Sequence, residues 1–338
     1  MRTAVIGAGA MGRRHLQAAR ALGLELVGLA DQRADALAAV GAEYGLGSDQ
    51  QFSDAQTLLD SVRPECLIIA TTTPSHAPYT VAAAEAGVRH ILCEKPMADS
   101  LAACDQMIAS CQSHGTRLAI NHQMRFTESY QQIKALLEGE QLGGLTSLSV
   151  IGGNFGMAMN ATHMFELLRY LTNEPPVEVT AWFSDVPVAN PRGEQFQDRA
   201  GSLRATTASG VRLYIDAGDD QGHGLTLVFA ARRGQLVFNL LSGHLTLSAR
   251  KAEFRERPTT QYGLPQDDQQ FEFGAPNVVL STQRVLQALI AGEGYPSGEE
   301  GRLPIMALVA AYLSAEAGSR PIPVTSAALP VERVFPWA

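Results

Sequence analysis

Apolar and polar positions alternate in blocks along the first third of the chain. Short continuous apolar runs predict strands that are buried on both faces, and alanine-rich segments between them have the length of helices. The predicted strands are 4–6, 26–30, 66–70, 90–93 and 117–120. The predicted helices are a first one opening at the glycines after residue 6, then 34–44, 54–61 with Ser53 as its N-cap, 78–86 and 100–113. This order predicts right-handed β-α-β units and an α/β fold with a doubly wound parallel sheet.

Beyond Asn121 the pattern changes to segments in which apolar and polar residues alternate. Such alternation is typical of an antiparallel sheet with one covered face. The strands predicted in this part of the chain are 148–151, 177–183, 202–207, 212–216, 225–231, 235–241 and 245–248. The predicted helices are 129–138, 163–171, 278–290 and 302–317, and the polar stretch 253–275 is predicted to be a long loop. The sequence therefore predicts a dinucleotide-binding domain over 1–121 and a second α/β domain over 122–338.

The first predicted strand runs directly into a glycine-rich turn. Gly7, Gly9 and Gly12 fit G-x-G-x-x-G, in which the glycines allow a tight turn, the approach of a pyrophosphate, and close packing of helix on strand. Asp31 ends the second strand 19 positions after Gly12, where a carboxylate can bind the adenosine ribose hydroxyls. We expect a dinucleotide site here; a glycine turn that serves packing alone is the alternative. The charge of Asp31 favours NAD, while Arg33 can offset that charge and leaves NADP open.

Polar residues follow each of the other predicted strands of the first domain. Ligands of doubly wound sheets lie beyond the carboxyl ends of the strands, where the loop from Thr71, the pair Glu94-Lys95, and Asn121 all fall. Lys95 is the leading catalytic candidate, because a lysine held in a cleft can donate or accept a proton during hydride transfer. A cis bond before Pro96 would fix the turn that carries it. A surface ion pair between Glu94 and Lys95 is the alternative.

His163 is the second catalytic candidate. It opens the predicted helix 163–171, and Glu166 one turn along could fix its tautomer while the imidazole takes a hydroxyl proton. A histidine that caps the helix is the alternative. Asn121 and Arg125 are expected to face a cleft between the domains and to bind a polar substrate, although packing or an ion pair could equally explain Arg125. His76 is expected near the nicotinamide ribose, and the remaining histidines, His15 among them, are expected to be structural or solvated.

Composition narrows the class of protein. The chain has 338 residues, of which 46% are hydrophobic and 18% charged, and a net charge of −8 without long charged runs. Such a surface disfavours nucleic acid and anionic membranes as partners. The sequence has no apolar run of membrane-spanning length and no signal peptide before the first strand, so we expect a cytoplasmic protein. Neither a zinc-type spacing nor a G-x-S-x-G elbow is present, and the four cysteines are expected to be free, semi-buried thiols.

Several of these motifs together resemble the Gfo/Idh/MocA oxidoreductase family. They are the glycine turn with Asp31, 70–76, the Ala-Glu-Ala-Gly turn at 84–87, Cys93-Glu94-Lys95-Pro96, 121–126, Gly152-Gly153, and His163 with the run 167–171. The resemblance covers nearly the whole chain. It implies a Rossmann domain followed by an α/β domain with a large open, mainly antiparallel sheet. That sheet usually forms a wall of the substrate pocket and an oligomer contact, so a homodimer or homotetramer is implied.

The family typically oxidises a sugar or cyclitol hydroxyl, or reduces the ketone, with NAD or NADP. Our reading assigns Lys95 and His163 to catalysis. The predicted cofactor-binding residues are Gly7, Gly9, Ala10, Met11, Gly12, Asp31, Gln32, Arg33, Thr71, Thr72, His76, Glu94, Lys95 and Arg125. The predicted substrate-binding residues are Lys95, Asn121, Arg125, Asn160 and His163, and no metal site is predicted.

One position departs from the family pattern. Many members carry an aspartate four residues before the histidine, and Met159 stands there. Asn160 could replace the polar contact of that aspartate, but an asparagine cannot act as a base. The segment Asn160 to His163 resembles enzymes of surface-sugar metabolism, which points to a nucleotide sugar or amino sugar. Two other functions stay open: a lyase or glycosidase with transient NAD oxidation, and a non-catalytic dinucleotide sensor.

Overall fold

The computed structural model describes residues 1–153, 156–188, 190 and 192–337. The chain divides into two compact units, each of which is discontinuous in sequence. The first contains Met1–Gln123, Asn277–Ile305 and the residues from Pro330 onward; the second contains Met124–Pro276 and Met306–Leu329. The sequence pattern predicts a single domain boundary, after residue 121. A dinucleotide domain and a substrate domain on the two sides of that point stay a prediction.

The helices follow the predicted pattern closely. Within the described residues they are α1 (Ala10–Ala21), α2 (Ala34–Tyr44), α3 (Ala55–Val62), α4 (His76–Glu85), α5 (Leu101–Ser113), α6 (Glu128–Glu138), α7 (Thr162–Thr172), α8 (Val278–Ala291) and α9 (Gly298–Glu316). The predicted N-cap Ser53 is wrong, because α3 begins one residue later than expected. Asp54 is the N-cap, and its carboxylate accepts a hydrogen bond from the Thr57 N–H at 2.7 Å.

The first unit is built on a parallel sheet. Its strands are β1 (Arg2–Ile6), β2 (Glu25–Ala30), β3 (Gln51–Phe52), β4 (Cys66–Ile69), β5 (His90–Cys93) and β6 (Arg117–Ile120). As far as the chain is described, they lie in the order β3-β2-β1-β4-β5-β6. This confirms the predicted doubly wound sheet. The strand order reverses between β1 and β4, and the crevice outside the carboxyl ends at such a point is where these sheets bind ligands.

The second unit is built on a mixed, mostly antiparallel sheet. Its strands are β7 (Leu145–Gly153), β8 (Pro176–Val188), β9 (Asp198–Thr207), β10 (Arg212–Gly218), β11 (Thr226–Ala231), β12 (Gly234–Asn239), β13 (His244–Arg250), β14 (Gln266–Glu272) and β15 (Ile322–Pro323). In the described residues their order is β14-β13-β12-β11-β7-β10-β9-β8-β15. β7 and β10 run parallel and the other neighbours antiparallel, which confirms the large, mainly antiparallel sheet.

One face of this second sheet is buried and the other is open. Leu148 and Val150 of β7 and Ile215 of β10 are buried, because alternate side chains of a strand point to opposite faces. Ile151 and Tyr214, on the other face of the same strands, are exposed. This is the alternation that the sequence pattern predicts.

The predicted long loop at 253–275 is wrong in part. Residues Gln266–Glu272 form strand β14, which pairs with β13 at the edge of the sheet. All of its side chains are exposed except that of Phe271, which is half-buried. The strand therefore lacks the apolar alternation by which strands are found in a sequence.

Two further expectations concern the thiols and the membrane. Cys66, Cys93, Cys104 and Cys111 are free and fully buried, and burial raises the pKa of Cys66 and of Cys111 to about 12. Among the residues described, there is no helix with both the length and the apolar character needed to span a bilayer.

Candidate active site

The glycine turn after β1 has the geometry of a dinucleotide cradle. Gly7 has φ +108°, and a Cβ on it would lie 2.4 Å from the carbonyl oxygen of Ala70. A Cβ on Gly12 would lie 1.8 Å from the carbonyl oxygen of Gly7, whereas a Cβ on Gly9 would meet only open space. Gly7 and Gly12 thus allow backbone to pack on backbone, and Gly9 leaves room above the N-terminus of α1. Because the first N–H groups of a helix have no partner within it, this space fits a pyrophosphate.

Asp31 follows β2 and joins this turn. Its Oδ2 accepts a hydrogen bond from the Ala8 N–H at 2.7 Å, and its Oδ1 accepts one from the Arg33 N–H at 2.8 Å. Partial burial alone would raise the pKa of Asp31, but these two backbone hydrogen bonds and the Arg33 side chain lower it. A carboxylate therefore stands beside the cradle. Ala10 at the start of α1 and Gln32 after Asp31 are exposed.

The loop after β4 packs against the turn that carries Lys95. Thr71 and Thr72 are half-buried, and the Ser75 hydroxyl donates to the hydroxyl of Thr71 at 2.7 Å. His76 is buried, with Nδ1 at 2.9 Å from the carbonyl oxygen of Pro96 and Nε2 at 3.2 Å from that of Thr71. Burial lowers the pKa of His76, so the neutral ring is favoured. The structure thus places His76 between two loops; its contact with a nicotinamide ribose stays a prediction.

A buried carboxylate lies directly before Lys95. The Glu94 Oε1 atom is 2.7 Å from His15 Nε2 and accepts a hydrogen bond from Asn121 Nδ2 at 2.8 Å. Its Oε2 accepts a hydrogen bond from the backbone N–H of Lys95 at 3.2 Å. Burial would raise the pKa of Glu94, but the hydrogen bond from His15 and the positive charge of that ring, the Lys95 charge and the Asn121 hydrogen bond lower it to about 2. Asn121, predicted to bind substrate, is fully buried and donates to Glu94 instead of facing outward.

Lys95 itself is half-buried at the end of β5, in the same row of strand ends as the glycine turn and Asp31. The bond between Lys95 and Pro96 is cis, as the sequence analysis hypothesises. The first unit thus brings together Gly9, Asp31, Glu94 and Lys95 along one edge of its sheet. An open glycine turn, a carboxylate and an amine in one row are groups that could together serve hydride transfer with a dinucleotide.

In the second unit, α7 begins one residue earlier than predicted. The α-helix starts at Thr162 and is preceded by a π-helical turn, Met157–Ala161, so His163 lies inside it. His163 and Asn160 are both half-buried. Asp198 of β9 anchors this turn: its carboxylate oxygens accept hydrogen bonds from the backbone N–H groups of Ala158 and Met159, at 2.8 and 3.0 Å.

Glu166 is held by arginines. Its carboxylate accepts hydrogen bonds from Arg169 Nε at 2.7 Å and Arg169 Nη2 at 2.8 Å, and from Arg125 Nη1 at 3.3 Å. All three side chains are largely buried. Arg125 therefore forms an ion pair with Glu166, one of the roles that the sequence left open for it. The roles of Arg125 toward a ligand and of Glu166 toward His163 stay predictions.

Sequence reasoning missed two residues of these clusters. His15 was expected to be structural or solvated, and it lies 79 positions from its partner Glu94. Asp198 stands in a strand that carries no motif, and its partners are backbone groups 39 and 40 positions away. No local pattern marks either contact. Among the described residues there is also no group of three or more His, Cys, Asp or Glu side chains placed to bind a metal ion.

Two dehydrogenases are similar in sequence to parts of this chain. The chain is 28% identical over 232 residues to the inositol 2-dehydrogenase of Pseudomonas fluorescens, which covers 64% of this chain and 67% of that protein. It is 36% identical over 138 residues to the D-apiose dehydrogenase of Paraburkholderia graminis, covering 40% of this chain and 36% of that protein. The second match thus spans about a third of the relative's length.

The fold as a whole is shared with solved structures. A levoglucosan dehydrogenase in complex with NADH superposes with a TM-score of 0.79 at 19% identity, over 96% of this chain and 99% of that one. At this identity the likeness concerns the fold.

Residues 1–122 match the family model of oxidoreductases with an NAD-binding Rossmann fold. The matched part contains the glycine turn, Asp31 and the Glu94-Lys95-Pro96 segment. The predicted oxidoreductase with NAD as its cofactor is confirmed at the level of the family. By this match, residues 1–122 of the chain belong to the Gfo/Idh/MocA oxidoreductase family.

Proposed function

We propose that this protein is an NAD-dependent dehydrogenase or reductase that acts on a hydroxyl or keto carbon of a sugar, nucleotide sugar or cyclitol. The observation that carries the proposal is the row of groups at the carboxyl end of the first sheet. An open cradle at Gly9, the Asp31 carboxylate and the Lys95 amine follow three strands of one parallel sheet. The dehydrogenases of inositol and D-apiose that the chain resembles act on substrates of this class.

NAD, when bound, supplies the acceptor for the hydride that leaves the substrate carbon, and the protein has to manage the proton. We propose that Lys95 and His163 take the hydroxyl proton during oxidation and return it during reduction. Met159 stands where a third acid would be, and Asn160 can only offer polar contact. Asn121 and Arg125 complete the set of substrate-binding residues in this proposal. Asn121 acts through Glu94, to which it donates a hydrogen bond.

The choice of NAD over NADP rests on Asp31. Its two oxygens are held by backbone N–H groups of Ala8 and Arg33, and a fixed carboxylate repels the 2′-phosphate of NADP. The Arg33 side chain is largely exposed and lies 3.4 Å from the same carboxylate, so it neutralises part of that charge. Calorimetric titration with the two coenzymes measures the preference.

The open face of the second sheet is the proposed contact with a second copy of the chain. Trp182 is 60% exposed on this face, which also carries the exposed side chains of Ile151 and Tyr214. Exposed aromatic and apolar side chains with polar neighbours are typical of protein contacts. A homodimer or homotetramer is therefore proposed, and sedimentation of the purified protein measures its size. A cytoplasmic location stays a prediction.

Incubation of the purified protein with NAD and a panel of cyclitols, aldoses and nucleotide sugars tests the activity. Net NADH, read by absorbance together with the keto product, is the expected result. A product without net NADH would replace the proposal with a lyase or glycosidase that oxidises its substrate transiently. Binding of NAD without any product would replace it with a dinucleotide sensor.

Replacement of Lys95 by alanine tests the role of the amine. We expect kcat to fall by at least about a hundredfold, the lower end of general acid–base contributions, with little loss of NAD affinity. Lys251→Ala is a matched control, because the side chain of that lysine is 44% exposed and its ammonium lies 3.9 Å from the carboxylate of Asp267. Full activity in Lys95→Ala would contradict the assignment.

A further inference from the structure

His15 connects the glycine turn to the turn that carries Lys95. It lies in α1, the helix that begins at the glycine turn, and it is fully buried. Its Nε2 is 2.7 Å from Oε1 of Glu94, and Oε2 of the same carboxylate accepts the backbone N–H of Lys95 at 3.2 Å. A continuous chain of buried hydrogen bonds thus runs from the phosphate-binding helix to the lysine.

The surroundings of His15 indicate how it holds the carboxylate. Its Nδ1 is buried and has no hydrogen-bond partner in the described part of the chain. A carboxylate oxygen only accepts hydrogen bonds, so the proton of this contact lies on Nε2 and His15 is the donor. Asn121 donates to the same oxygen at 2.8 Å, so two buried side chains hold Oε1.

The two donors fix the orientation of the Glu94 carboxylate. They also lower its pKa, so the group stays negative. The oriented carboxylate then fixes the backbone of Lys95 through Oε2 and places a negative charge beside the Lys95 ammonium.

We propose that His15 is a positioning residue for Lys95, acting through Glu94. This inference rests on the proposed role of Lys95 in proton transfer and deepens it. His15 sets the orientation of the Glu94 carboxylate, and the carboxylate sets the position of Lys95 relative to the helix at which the pyrophosphate binds.

The replacements His15→Asn and His15→Gln separate positioning from packing. A glutamine amide can reach the position of Nε2 and donate to Glu94, whereas an asparagine amide is too short. His90→Asn is the matched control: His90 is also buried, also has an unpartnered Nδ1 among the described residues, and begins β5 at the end opposite Lys95. We expect His15→Asn to lower kcat by about ten- to a hundredfold, as misplacement of a catalytic group does, with unchanged NAD affinity. His15→Gln should restore most of it, and His90→Asn should leave kcat unchanged.

A second measurement follows the surroundings of the Lys95 amine through its resonance and does not depend on catalytic turnover. The chain has three lysines, Lys95, Lys134 and Lys251, so ¹³C-methylation of the amines gives a spectrum in which Lys95→Arg identifies one resonance. We expect His15→Asn and Glu94→Gln to shift the Lys95 resonance and its pH titration, and His15→Gln and His90→Asn to leave both near wild type. Should His15→Asn fail to fold, Glu94→Gln tests the same link, because it removes the carboxylate through which His15 acts on Lys95.

The outcomes separate this inference from the proposed function. If Lys95→Ala stays active while the Lys95 resonance still follows His15, the catalytic role is wrong and the positioning is right. If the resonance and kcat are the same in folded His15→Asn as in wild type, or if His15→Asn and His90→Asn change them alike, the positioning role is wrong.

Discussion

Glu94 in the first unit and Glu166 in the second are both buried carboxylates, and they are held by different kinds of donor. Glu94 accepts hydrogen bonds from an imidazole, an amide and a backbone N–H. Glu166 accepts hydrogen bonds from the guanidinium groups of Arg125 and Arg169. The first arrangement keeps a negative charge beside Lys95, whereas the second places two positive charges around one negative charge. Burial alone therefore does not indicate what a carboxylate does; the groups that donate to it do.

The largest effect is expected from neutralising Glu166. In Glu166→Gln two largely buried guanidinium groups face a neutral amide, and breaking a buried ion pair costs about 3–5 kcal/mol of stability. In Glu94→Gln the contacts that change are those to an imidazole, an amide and one backbone N–H, and we expect a smaller loss of about 1–3 kcal/mol. Urea unfolding of both variants measures the difference. Equal losses would show that the guanidinium donors do not make Glu166 more important for stability than Glu94.

Acid should act on Glu94 through its lowered pKa. The pKa is about 2 in the fold against 4.5 for the free side chain, so Glu94 contributes stability that is complete above pH 4.5. This contribution, about 3 kcal/mol at most, is lost as the pH falls from 4.5 towards 2, because the unfolded chain then binds the proton more tightly. Urea unfolding between pH 6 and pH 3 measures it. The same series on Glu94→Gln should be flatter; an identical slope would contradict the assignment.

A third carboxylate, Asp31, is expected to give the smallest effect. Its side chain is 12% exposed and is held by two backbone N–H groups beside the glycine turn, where the proposal places the ribose, so its removal should affect ligand binding most. We expect Asp31→Ala to weaken NAD binding by about tenfold, roughly 1.4 kcal/mol, and to reduce the discrimination against NADP. Asp35→Ala, at an exposed position in the first turn of α2, is the control. An unchanged preference between the coenzymes would mean that the ribose does not lie at Asp31.

The first sheet could be predicted from the sequence because its strands are buried on both faces. All side chains of β4 and of β5 are buried, and a continuous apolar run of four residues marks each strand. The glycines and Asp31 could be found for the same reason, since their positions follow from those strands. In the second sheet, β14 was missed because its side chains face solvent on both sides.

The clusters around the site were harder to predict than the site itself. Lys95 follows a strand and precedes a proline, which a sequence reveals. The link from His15 to Glu94 depends on α1 packing over the sheet, and the link from Asp198 to the turn before His163 depends on a strand passing that turn. Contacts of this kind arise from tertiary structure and leave no periodic trace along the chain.

The two edges of the second sheet limit how copies of the protein can associate. β14 carries Asp267, Asp268 and Glu272 along an exposed border, so a second β14 would meet like charge. The opposite border, β15, is two residues long and contains Pro323, which lacks the N–H needed to continue a ladder. Growth of the sheet by addition of strands, the route towards fibres, is therefore disfavoured at both borders. This leaves the face that carries Trp182 for the self-association proposed above.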